Sequence, residues 1–244
     1  MRITLILFTV ILILVAVAII CVNNYIYLYN LYVYYFSIDP LTHYLNLESI
    51  RPRLYHDLRE NWTHIRDEVL AAKERFSSIR GDRFFEDSII TSEKWKKIYL
   101  KWYDEPPTYA NKLFPKTMAI LGRHQYVRLA MFSLLEPGCK ILPHRGPFRG
   151  CIRVHLCLTS PNNELCYIKV NDERYIWKEG EILAFDDTYL HSVKNNSNTD
   201  RIVLFLDVER HIALSFINSL VITHFAKTTT RINDEIEKEF LRIH

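Results

Sequence analysis

The sequence predicts a mainly β domain of jelly-roll type, with flanking N-terminal helices and one N-terminal transmembrane helix ahead of them. Three observations predict it. From residue 126 onward, short apolar or alternating runs are separated by turn residues. Before them, residues 60–76 carry Trp62, Ile65, Val69 and Phe76 at helical spacing with charges between. Ahead of both, residues 3–21 are one apolar run interrupted only by Thr4 and Thr9.

Composition narrows the class. A chain of 244 residues makes one sizeable domain and not comfortably two. With 49% hydrophobic residues and a net charge of +3, it is not a disordered chain. Its size and 5 cysteines exclude a disulfide-stapled miniprotein. The slight basic excess suits a membrane surface or an anionic substrate and does not call for nucleic acid.

Taken in order, residues 1–22 are expected to be a transmembrane anchor, because roughly 20 apolar residues span a bilayer core. A cleaved signal peptide is the competing reading, but its apolar core is usually shorter and ends in a small-x-small site, which is not evident here. The anchor makes the chain a single-pass membrane protein with its sidedness open, since Arg2 and the distant Arg51 and Arg53 nearly balance. Residues 23–55 form a juxtamembrane segment whose tyrosines, crowded over 25–36, suit the membrane–water interface. A domain follows over residues 56–226. Its helices are expected over 60–76 and 111–122, the second in spite of Pro115, with Gly122 as its stop. Ile98, Leu100 and Trp102 alternate with polar neighbours, so 95–103 reads as a strand. Further strands are expected over 127–135, 151–159, 167–170, 182–185, 189–193 and 201–208. Residues 212–226 read as a final helix lying on the domain or the membrane, and 227–244 as a polar tail.

The chemistry lies among the strands. Over 151–158, Ile152, Val154, Leu156 and Leu158 share one face, and Arg153 and His155 share the other with Cys151 and Cys157. A buried arginine must be paired, so something anionic should meet it. Arg201 opens the otherwise apolar strand that runs to Asp207 and Val208. His144 follows Pro143 in an expected turn, and His191 lies in an expected strand. On residue types alone, the two histidines could be a loop residue and a half-buried strand residue. Arg153 and Arg201 could equally be ion-paired with Asp207, Asp186 or Asp187. The cysteines read as small buried hydrophobes.

Order and spacing change this reading. Residues 132–138, then Pro143-His144-Arg145-Gly146-Pro147, then Arg153-Val154-His155-Leu156 resemble the aspartyl/asparaginyl β-hydroxylase family. So do residues 177–181, the run 185–191 ending in His191, and Arg201 ten residues later. The segments 101–104, 115–117 and 207–210 are most similar to its bacterial lipid A hydroxylase branch, whose N-terminus is membrane-associated. The resemblance covers roughly residues 95–211. It implies a double-stranded β-helix and an Fe(II)- and 2-oxoglutarate-dependent dioxygenase that uses O2, with ascorbate as a supporting reductant. His144 and His191 would be the catalytic iron ligands. Arg201 would hold the distal carboxylate of 2-oxoglutarate with Ser133, and Arg153 and His155 would line the same pocket. Trp102 would pack beside the cosubstrate. The third position of the usual two-His-one-carboxylate triad is Gly146. The animal peptidyl hydroxylases of the family also have glycine there, so the glycine does not imply a dead enzyme. The acceptor is then a lipid acyl chain, or alternatively a peptidyl aspartyl or asparaginyl side chain. A non-catalytic membrane-tethered binding module is the reading from another class. Oligomeric state is not encoded in any of these features.

Overall fold

The structure, a computed structural model, describes residues 24–76, 94–103 and 105–229. The expected anchor over 1–22 and most of the expected tail lie outside the described residues. No helix among the described residues is long and apolar enough to cross a membrane.

Apolar spacing sets the helices. The Tyr-rich segment forms α1 (Tyr25–Phe36), and a short α2 (Leu47–Ile50) follows β1 (Tyr44–Leu45). In α3 (Pro52–Ala71), Leu54, Leu58, Ile65 and Val69 form one buried stripe. The helix starts earlier than expected because Leu54 and Leu58 continue that stripe, and Pro52 sits in the first turn, where a missing N–H leaves no bond unmade. It ends at Ala71, so Phe76 lies beyond it. The single helix expected over 111–122 is two, α4 (Ala110–Leu113) and α5 (Pro115–Gly122). The break at Phe114 follows from Pro115, whose ring disfavours the helical backbone in the residue before it.

Ten strands are present among the described residues, in two antiparallel sheets. The remaining nine are β2 (Trp95–Trp102), β3 (Val127–Leu135), β4 (Lys140–His144), β5 (Cys151–Thr159), β6 (Cys166–Val170), β7 (Glu173–Ile176), β8 (Ile182–Phe185), β9 (His191–Asn195) and β10 (Arg201–Glu209). The larger sheet has the order β1-β8-β5-β10-β3-β2 and the smaller β4-β9-β6-β7. From β3 to β10 the chain passes repeatedly between the two, which is the winding of a jelly roll. Strand β1 extends one edge of the larger sheet and β2 the other.

Three local features depart from expectation. His144 does not lie in a turn but ends β4, directly opposite His191 of β9. Pro143 is tolerated because β4 is an edge strand, and the pairing skips from Ile141 to His144. Strand β9 begins at His191 and not at Tyr189, because the Asp186 carboxylate accepts from the Thr188 N–H (2.9 Å) and hydroxyl (2.6 Å) and closes a turn there. Strand β7 shows no apolar alternation, because Glu173 and Arg174 are exposed on it.

Alternation along β5 divides the interior in two. Ile152, Val154, Leu156 and Leu158 join Leu54, Leu58, Ile65 and Val69 in a core between the larger sheet and α3. Cys157 faces the space between the sheets, with Trp95, Phe205, Ile168 and Val193. Several polar side chains that face this second space, Ser133, His155, His191 and Arg201 among them, are buried, which makes their partners decisive.

Candidate active site

Pairing of β5 with β10 sets Arg153 opposite Asp207 and His155 opposite Phe205, and pairing of β3 with β10 sets Ser133 opposite Val203. With a period of two, all of these point between the sheets, as does Arg201. His144, Arg153, His155, His191, Arg201 and Ser133 line one inner cavity of about 30 Å³. All six site residues expected from the sequence are therefore brought together by elements as far apart in the chain as β3 and β10.

The two histidines form a pair. Their rings lie 4.1 Å apart between centroids at an interplanar angle of 53°. Nδ1 of His144 donates to the Leu142 carbonyl (2.8 Å) and Nδ1 of His191 to the Tyr189 carbonyl (2.9 Å). A carbonyl only accepts, so each bond places the proton on Nδ1 and leaves Nε2 with its lone pair. Burial lowers both pKa values, that of His191 to about 3 with the neighbouring His144 adding to the effect. Both imidazoles are therefore neutral near pH 7, the form that binds a metal. Among the described residues no group of three or more His, Cys, Asp or Glu side chains could hold an ion. The donor set is two neutral imidazoles, which suits a divalent first-row metal whose other positions are filled by a chelating ligand and water.

At the deep end stands Arg201. It is 2% exposed, and its Nε has no hydrogen-bond partner. No carboxylate pairs with it among the described residues. Its nearest charge-relevant neighbours are the thiols of Cys166, Cys157 and Cys139, and burial lowers its pKa. The Trp177 ring lies 5.3 Å from its guanidinium carbon. Both ring nitrogens of the buried His155 also lack partners, and burial with the nearby Arg201 pushes its pKa well down. Ser133 Oγ accepts from Trp95 Nε1 (2.8 Å), which leaves the hydroxyl proton free to be donated into the cavity. An unpartnered guanidinium, a hydroxyl donor and a neutral imidazole fit the carboxylate of a small dicarboxylic acid.

At the outer end Arg153 is ion-paired with two carboxylates. Its Nε donates to Asp207 (2.6 Å) and its Nη2 to Asp187 (2.7 Å). The ion-paired alternative thus describes Arg153 and not Arg201. Asp186 instead pairs with the buried Arg210 (2.9 Å). Burial raises the Asp187 pKa to about 7 against the opposing pull of Arg153. Asp187 also explains Gly146, since a Cβ there would overlap the Asp187 carboxylate. The backbone N–H of Gly146 donates to the Asp187 carbonyl (2.7 Å). The space that a side chain at 146 would need is thus filled by a carboxylate from elsewhere in the chain. A second cavity of about 90 Å³ opens here, lined by Trp102, Leu129, Pro147 and Phe148 as well as His144 and Arg153. Trp102 therefore borders this outer cavity and is not among the residues that line the inner one.

Residues 59–211 match the model of the Aspartyl/Asparaginyl beta-hydroxylase family. The chain belongs to that family. An ornithine lipid ester-linked acyl 2-hydroxylase of Rhizobium tropici is 33% identical over 161 residues, which are 63% of this chain and 57% of that protein. An aspartyl/asparaginyl beta-hydroxylase of Mus musculus is 30% identical over 162 residues, 64% of this chain and 21% of that protein. The chain thus spans little more than half of the first relative and about a fifth of the second. A solved structure described as a predicted oxalate decarboxylase from Thermotoga maritima shares 17% identity at TM-score 0.33, covering 47% of this chain and 80% of its own. That likeness is slight, and nothing rests on it.

Three residues outside the expected site set support its side chains. Trp95 orients Ser133, and Asp187 and Asp207 hold Arg153. Trp95 carries no motif signal of its own. The two aspartates are named with Asp186 as ion-pair candidates in the sequence, and the structure brings both to Arg153, Asp207 through the β5–β10 register and Asp187 from the turn after β8.

Proposed function

We propose that this protein is a membrane-anchored Fe(II)- and 2-oxoglutarate-dependent dioxygenase that hydroxylates an unactivated C–H of a lipid acyl chain. The observation that carries the reading is the His144–His191 pair set above a cavity that ends in the unpartnered Arg201. His144 and His191 would hold the iron through Nε2. Arg201 and Ser133 would hold the far carboxylate of 2-oxoglutarate, a planar match that a lysine does not offer. His155 and Arg153 would complete the wall. Iron and the 2-oxo acid would together activate O2, one oxygen atom going to the acceptor C–H and the other to succinate as carbon dioxide leaves, and the protein would contribute position and exclusion of water.

The acceptor reading rests on two supports. The Rhizobium tropici relative is named for action on a lipid acyl chain, and the outer cavity is walled by Trp102, Leu129, Pro147 and Phe148. A peptidyl aspartyl or asparaginyl acceptor is the alternative, favoured by the exposed Arg145 in the same wall, which makes one bond to the Thr188 carbonyl (3.0 Å) and could meet a carboxylate. The test supplies the full chain with Fe(II), ascorbate and 2-oxoglutarate, with ester-linked lipids and aspartyl peptides as separate acceptors. Succinate above the iron-free control and one added oxygen in the lipid are expected. An added oxygen in peptide alone would replace the lipid reading. No succinate from folded, iron-loaded protein with either acceptor would leave a binding module.

A further inference from the structure

The charge pattern of the two terminal helices is unlike the rest of the molecule. Helix α1 has no charged residue, and neither does the segment 212–226 that contains most of α6 (Ser215–Thr229). On α1, Tyr27, Leu28, Leu31, Tyr34 and Tyr35 are exposed, at spacings of one, four, seven and eight that place them on one face. Exposure reaches 68% at Tyr27 and 69% at Tyr35. Leu214, Phe216 and Leu220 of the α6 region are exposed by 59%, 60% and 64%. A soluble monomer rarely leaves a contiguous apolar patch beyond a few hundred Å² uncovered.

These two helices are one unit with the wall of the outer cavity. The opposite face of α1, Tyr29 and Val33, is buried with Phe148, Cys151, Ile212 and Ile222. Tyr29 stacks on Phe148, with centroids 5.0 Å apart and 6° between planes. Its hydroxyl donates to Asn218 Oδ1, and Asn218 Nδ2 donates to the Arg210 carbonyl (3.1 Å). Asn30 grips the cavity segment from both sides, donating to the Pro147 carbonyl (2.8 Å) and accepting from the Arg149 N–H (2.8 Å). Gly150 permits the approach, because a Cβ there would overlap the Tyr29 hydroxyl and the Phe148 ring. Phe148 and Cys151 therefore have one side on the helices and the other on the cavity.

We infer that the exposed faces of α1 and α6 are a docking surface for a lipid bilayer, which seats the outer cavity at the membrane so that an acyl chain enters it past Phe148. The bilayer is the occupant for two reasons. The apolar run of residues 3–21 ends just before α1, so the chain enters the described structure at this face. A tyrosine-rich helix without charges, α1, beside the charge-free segment 212–226 also matches the membrane–water interface better than it matches water. The acyl-chain entry rests on the lipid reading under Proposed function, whereas the docking does not.

The test uses the full chain in phosphatidylcholine vesicles, with or without bromine atoms on the acyl chains. Leu31→Trp and Leu220→Trp each add a reporter on the surface. Lys178→Trp adds one at the far end of β5, where Gly180 donates to the Cys157 carbonyl (2.8 Å). Bromine is expected to remove about half or more of the added emission at 31 and 220 and to leave that at 178 unchanged. The combined Leu31→Glu and Leu220→Glu variant is expected to keep its Co(II) affinity and to hydroxylate vesicle lipid about tenfold more slowly. Unquenched reporters would overturn the inference, most directly if copies of the chain also cross-link through position 31, which would make the surface a dimer contact. An unchanged rate in the double variant would overturn the entry route. Quenching at both sites by a protein that hydroxylates no lipid would uphold the docking surface and sink the lipid reading.

Discussion

The two ends of the space between the sheets each hold a buried arginine, and they differ in what answers it. At the outer end Arg153 is held by Asp187 and Asp207. At the deep end Arg201 has no carboxylate among the described residues, and the groups around it are thiols and an indole. Both guanidiniums sit on strands of the same sheet, Arg153 with 13% of its side chain exposed and Arg201 almost wholly buried. The difference teaches that satisfaction, not burial, separates a structural arginine from one that waits for a ligand. A buried charge without a partner is a standing cost of several kcal/mol, and an anionic ligand would convert that cost into affinity.

The largest test breaks both ends at once. His144→Ala or His191→Ala should remove iron-dependent succinate formation, by more than the roughly 10–100-fold typical of losing an outer-shell partner. Thermal melting should persist, since each ring's hydrogen bond is to a carbonyl only two residues before it and ties no distant elements together. Full activity in both variants would refute the metal assignment.

Next, the two arginines should respond in opposite ways. Arg201→Met should weaken 2-oxoglutarate binding by about 2–5 kcal/mol, or roughly 30-fold or more. It should leave the melting temperature of the ligand-free protein unchanged or raised. Arg153→Met should instead strand two buried carboxylates at a cost of about 3–5 kcal/mol. That corresponds to a fall of roughly 6–20 °C in melting temperature for a chain of this size. Equal melting losses in the two variants would erase the distinction between the ends. Titration with 2-oxoglutarate beside scanning calorimetry reads both quantities.

A subtler change sharpens the outer end alone. Gly146→Ala should push the Asp187 carboxylate off its seat and loosen Arg153, at about 1–3 kcal/mol of overpacking. Denaturant melts of the metal-free protein would show it. No loss would mean that Asp187 can move aside freely.

The smallest expected change concerns pH. Both imidazoles have pKa values below the ordinary 6.5, so protons compete with a metal only at lower pH. Co(II) affinity should fall less from about pH 8 to about pH 6 than the roughly tenfold that two ordinary imidazoles would cost. A tenfold loss over that range would show that water reaches the pair.

Much of the fold was legible in the sequence, for a physical reason. Strands β3, β5 and β10 bury one or both faces in apolar surroundings, and that demand is written as alternation or as an apolar run. Strand β7 escaped because its side chains meet water on an edge, where no pattern is imposed. Strand β4 escaped because Pro143 and the following Gly146 read as turn residues, although an edge strand accommodates proline. The break at Phe114 was legible in principle, since Pro115 states it locally.

The sequence by itself determined which side chains are available to the site. Period-two alternation put Arg153 and His155 on the face opposite Val154 and Leu156, and family spacing singled out His144, His191, Arg201 and Ser133. Only the tertiary structure decided which of these are satisfied. Arg153 and Asp207 are 54 positions apart, and the register between β5 and β10 brings them within 2.6 Å. Gly146 and Asp187 likewise meet only because β4 and β9 pair, placing a carboxylate where the glycine has none. Local sequence encodes periodicity because solvent and core select residue by residue. Which charge meets which is set by strand pairing across the whole chain, and it leaves no local trace.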